Sequence, residues 1–75
     1  MFKPEALKHY REKRGLTQSA LALKMTNECG DELDGGQISD YERGKHTPGG
    51  DRLRNLAKAL DISIDNLFEA PPVAL

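Results

Sequence analysis

Apolar residues recur along this chain at three- and four-residue spacings and never in strict alternation, a pattern that predicts helices and no sheet. The first helix opens at Pro4, where a proline needs no intrahelical N–H and Glu5 lies near the positive end of the dipole. Its inner face reads Leu7, Tyr10 and Arg11, and Gly15 stops it. Thr17 has the chemistry of an N-cap for a second helix whose buried side is Leu21, Ala22 and Met25. Asp34 followed by Gln37 is a variant of the capping box and opens a third helix, with Ile38 and Tyr41 inward and Gly44 at its end. A fourth helix follows Pro48 and buries Leu53, Leu56, Ala57 and Leu60. Ser63 caps a short fifth helix contributing Ile64, Leu67 and Phe68. The Pro-Pro-Val-Ala-Leu end at 71–75 cannot continue a helix, so a domain over 1–70 and a short tail over 71–75 are expected.

Seventy-five residues allow one domain with one small core. The single cysteine, Cys29, has no partner for an internal disulfide, so packing must supply the stability and a reducing compartment is expected. No apolar stretch is long enough for a signal peptide or a membrane span, and a cytoplasmic protein without membrane contact is the expectation. The net charge of −1 conceals a segregation along the chain. Lys3, Lys8, Arg11, Lys13 and Arg14 outnumber Glu5 and Glu12 at the start. Glu28, Asp31, Glu32 and Asp34 then form a stretch with no cation. Positive charge returns with Arg43, Lys45, Arg52, Arg54 and Lys58. A phosphate-binding face must therefore be assembled locally from a minority of the surface.

Thr17-Gln18-Ser19-Ala20-Leu21-Ala22, a helix and a turn before Gln37-Ile38-Ser39-Asp40-Tyr41-Glu42-Arg43-Gly44, resembles the two working helices of a helix-turn-helix. The resemblance is to the phage-repressor/Cro-like (Xre-type) DNA-binding domains. It continues through Lys45 and Pro48 to Leu56-Ala57-Lys58-Ala59-Leu60 and Ile62-Ser63-Ile64-Asp65-Asn66-Leu67-Phe68. It implies an all-α, five-helix, lambda-repressor-like domain that binds double-stranded DNA, with the third helix, about residues 35–43, in the major groove.

The resemblance also assigns roles. Gln18 corresponds to the family's phosphate- or base-contacting glutamine, at a helix start that itself attracts anions. Arg43, Lys45, His46 and Thr47 fall where family members grip the backbone. Arg11 and Glu42 correspond to a partly buried pair that fixes the first helix against the third. The base-reading positions map to Gly35, Gly36, Gln37 and Asp40, and among these Gln37 is the strong candidate, able to make a bidentate contact with adenine. Direct readout is thus expected to be sparse, leaving selectivity to spacing and DNA shape.

Residues 26–33 lengthen the family's usual short turn between the second and third helices. An extended acidic connection is expected there, with Asn27 to Glu32 forming either an exposed loop, solvated and pointing sideways, or a one-turn extension of the second helix, and with Leu33 as the apolar plug. Asp31, Glu32 and Asp34 lack the alternating acids and spaced terminal glutamate of a calcium loop, so no metal site is expected. No histidine–carboxylate, Cys–His or phosphate-loop arrangement supports an enzyme, and no cofactor is implied. Two functions remain. The first is a DNA-binding transcriptional regulator, repressor- or antitoxin-like, acting as two copies that meet through the fifth helix, the tail or the DNA itself. The alternative is a protein-interaction module on the same scaffold with its DNA face eroded, for which the acidic loop, the glycine pair and Asp40 argue.

Overall fold

The computed structural model of the protein describes residues 1–72. Four α-helices, α1 (Pro4–Lys13), α2 (Gln18–Cys29), α3 (Gly35–Glu42) and α4 (Gly50–Leu60), precede a 3-10 helix over Ile64–Phe68. There is no strand among the described residues. The fifth helix expected from the sequence is therefore a 3-10 helix. Ser63 and Asn66 close a reciprocal cap on it, and Pro71, which disfavours helical backbone at the residue before it, follows too soon for an α-helix to establish itself. The expected tail over 71–75 lies partly outside the described residues.

The caps expected from side-chain chemistry form. Pro4 occupies the start of α1, Thr17 Oγ1 accepts the backbone N–H of Ala20 at 3.0 Å, and Asp34 and Gln37 make a complete capping box on α3. The end of α2 takes the helical form of the two expected for Asn27 to Glu32. The helix runs to Cys29 and is stopped by Gly30 at φ 66°, a left-handed conformation in which a Cβ would be strained. Much of the anticipated loop is thus a further turn of α2, which leaves only residues 30–34 to make the corner.

Leu7, Leu21, Met25, Ile38, Leu56, Leu60 and Leu67 are fully buried and meet in one core, each contributing about 1.5–3 kcal/mol by removal from water. α2 packs on α3 and α4, α1 on α3 and the 3-10 helix, and α4 on the 3-10 helix. Leu33 is half-buried against this core, as its role of plug requires. Phe2, Ala6 and Ala59 join it as well, outside the stripes read from the sequence. Two polar links close the ends of the chain: Lys3 N–H donates to Leu67 O at 2.8 Å, and Arg14 Nε donates to Leu60 O at 2.8 Å. The second places a cation on the carbonyl end of α4, where the helix dipole favours it.

Candidate nucleic-acid interface

The start of α2 and the start of α3 touch. A Cβ built on Gly35 would lie 2.6 Å from Ser19 Oγ and 3.1 Å from Ser19 N, so only glycine permits this approach of the two helices. At the other end of α3, Glu42 is held by two residues. Its carboxylate accepts Arg11 Nε at 2.6 Å and Arg11 Nη2 at 3.1 Å, and Gln18 Nε2 donates to it at 3.2 Å. The Arg11 and Glu42 side chains are only 11% and 4% exposed, so the pair is desolvated as well as bidentate. Hydrogen bonding to Glu42 raises the pKa of the Arg11 guanidinium, against the opposing effect of burial. Arg11 Nη1 also donates to Leu16 O at 2.7 Å, joining the corner before α2 to the same cluster.

Along α3 the outward residues are Gly36 and Gln37, with Asp40 half-buried beyond them. Asp40 Oδ1 accepts Arg43 Nη2 at 2.7 Å, which partly neutralises that cation. Gln37 Oε1 accepts the backbone N–H of Asp34 at 3.0 Å, leaving its amide hydrogens and the second lone pair of that oxygen to meet a ligand. Lys45, His46 and Thr47 follow in an exposed turn.

A helix-turn-helix family model, HTH_3, matches residues 7–67, which takes in both helices and the packing around them. The chain belongs to the helix-turn-helix family. Among solved structures it is similar to the P22 c2 repressor protein, crystallised in complex with synthetic operator 9T in the presence of Tl+. The identity is 30% and the TM-score 0.74, over 89% of this chain and 92% of that one. A search of curated proteins finds no match.

Within this helix-turn-helix, Arg11, Gln18 and Glu42 converge on one cluster, while Gly36, Gln37, Asp40 and Arg43 follow along α3 and its C-cap. Gly35 is separated from them in role, because it faces Ser19 and serves the helix contact. Gln37, expected to make a bidentate adenine contact, shares its carbonyl with the capping box, which leaves one lone pair of that oxygen beside the amide hydrogens.

The acidic connection needs a larger correction. Asp31 does not belong to a solvated loop. Its carboxylate accepts Arg52 Nε at 3.0 Å and Nη2 at 2.6 Å, and Asn55 Nδ2 at 3.1 Å, all from α4. Arg52 Nη1 in turn donates to the Tyr41 hydroxyl at 2.9 Å. The Arg52 hydrogen bonds, with help from Asn55, hold the Asp31 carboxyl below the usual carboxylate range against the cost of burial. Asp31 and then Tyr41 likewise raise the pKa of Arg52. Asp34 is engaged in its cap and Glu28 lies 3.9 Å from Lys24, so Glu32 is the acid of this stretch left exposed without such a role. Sequence reading missed the network because a connection rich in Asp and Glu has the composition of a solvated loop. The available signal was an arginine and an asparagine one helical turn apart, Arg52 and Asn55, on the side of α4 next to its apolar stripe.

Proposed function

We propose that this chain is a DNA-binding transcriptional regulator of the repressor type that lays α3 in the major groove. The observation that carries this reading is the match over nearly its whole length to a repressor whose structure was determined on an operator, joined to an α3 whose outward residues are left uncovered by the rest of the fold. Gln18 keeps an amide hydrogen beyond the one given to Glu42. At the N-terminus of α2 that donor and the helix dipole suit a phosphate. Lys45, His46 and Thr47 supply the exposed turn that follows the backbone, and Arg43 joins them by exchanging Asp40 for phosphate. Gly36 brings main chain rather than a side chain to the groove. Gln37 reads through its N–H groups and the second lone pair of its capped carbonyl, so a bidentate contact with adenine N6 and N7 stays within its chemistry. No step of this reading uses catalysis or a cofactor. Two copies bind, since one such domain makes few contacts.

The test is selection of duplexes from a random pool, followed by salt titration of the preferred one. Lys45→Ala is expected to weaken binding to all sequences and lower the salt slope by about one unit. The protein-interaction reading draws on the Asp40–Arg43 pair, which masks a cation on α3 itself. Absence of binding to any duplex at low salt would select it.

A further inference from the structure

The geometry points to Asp31 as a positioning residue for α3, which makes the extended α2–α3 connection a clamp on the recognition helix rather than a spacer. Asp31 is itself fixed to the end of α2. Its N–H donates to Met25 O at 3.3 Å and its carbonyl accepts Thr26 Oγ1 at 3.3 Å, just after the left-handed turn at Gly30. From that anchored position the carboxylate takes the Nε–Nη2 edge of the Arg52 guanidinium and Asn55 on α4, and Arg52 passes the restraint through Nη1 to the Tyr41 hydroxyl on α3. Three helices are therefore tied at one point, through side chains only 15% and 25% exposed at Asp31 and Arg52.

Tyr41 is the neighbour of Glu42, which Arg11 holds from α1. Successive residues of a helix point about 100° apart, so the two links restrain α3 in different directions around its axis. Rotation of α3 about that axis would sweep Gln37 past the base edges it is to read. The clamp acts at one remove: Asp31 touches no base, and its effect on sequence discrimination rests on the DNA-binding reading. Its effect on α3 does not.

The experiment accordingly has a readout without DNA. In amide hydrogen exchange, Asp31→Asn and Arg52→Met are each expected to speed exchange at residues 38–42 of α3 by about tenfold, as loss of a charged hydrogen bond implies. Exchange at Leu21 and Met25 in α2 should move much less. The double variant should add little to either single one, Asp31→Glu should restore part of the protection, and Tyr41→Phe, which removes only the hydroxyl, should give a smaller change in the same residues. On the selected duplex, Asp31→Asn should reduce the ratio of preferred to random binding by about tenfold while leaving the salt slope unaltered, because no phosphate contact is lost. Uniformly faster exchange in every helix would overturn the proposal, showing general destabilisation. So would tighter binding of Asp31→Asn to all duplexes with a reduced salt slope in Arg52→Met, which would make Arg52 a masked phosphate contact. If the wild type binds no duplex, the DNA-binding reading fails, and the exchange pattern alone decides on the clamp.

Discussion

The side-chain carbonyl of Gln37 closes the capping box of α3, and its amide hydrogens face outward. Replacing Gln37 by Glu separates these two duties, because a carboxylate still accepts the Asp34 N–H but donates nothing. We expect Gln37→Glu to keep the helix and to lose about 1–3 kcal/mol of discrimination between preferred and mismatched duplexes, read by competition binding. Asp31 gives a second prediction at this scale. Its pKa is lowered in the folded chain, so its stabilising contribution is fully present above the unfolded carboxylate value, about 3.9, and is lost as pH falls through the lower folded value. The melting temperature of the wild type should therefore fall more steeply than that of Asp31→Asn over roughly pH 4 to 2. Equal slopes would show that Asp31 is not held by Arg52 in solution. The caps at Thr17, Asp34 and Ser63 were legible in the sequence because each depends on neighbours within a few positions. The Asp31 partners lie 21 and 24 positions away and carry no local signature.

Between elements, the close contact of α2 with α3 and the link from α1 to α3 make different demands. Gly35→Ala puts a methyl group against Ser19, including its backbone, and should cost about 1–3 kcal/mol as overpacking does. Gly36→Ala meets only Asp34 Oδ1 at 3.2 Å and should cost less than Gly35→Ala in the same urea titration. Glu42→Ala leaves Arg11 charged and buried with its carboxylate partner gone and only Leu16 O still accepting, at a cost of about 3–5 kcal/mol. Deleting residues 27–32 would be nearly neutral if only loop closure mattered. Here it removes the last turn of α2, the Gly30 stop and Asp31, so a large fall in melting temperature is expected, and a variant as stable as the wild type would return the segment to the status of a passive loop. Helix number and order could be read from apolar periodicity, which reports the buried faces. The choice between loop and helix at the end of α2 could not, because polar Asn27 and Glu28 are exposed in its last turn and leave the period without a marker.

At the scale of the whole molecule, the near-balanced charge of −1 gives little long-range attraction to DNA, so on the proposed reading affinity would come from correctly seated contacts and from pairing of copies. The body measures 35 × 24 × 21 Å, and its longest dimension is close to one turn of the double helix, ~34 Å. On the proposed reading, two copies on the same face of a duplex would set their α3 helices in successive major grooves. This yields a prediction about spacing. A duplex carrying two preferred half-sites centred ~10 base pairs apart should take up two copies more tightly than two isolated half-sites. Shifting one half-site by ~5 base pairs should abolish that advantage, because half a turn carries the second copy to the opposite face. Stoichiometry and affinity on the two duplexes can be read by sedimentation and by mobility shift. Equal binding at both spacings would mean that the copies act independently, and the contacts of one domain would then have to supply all of the affinity.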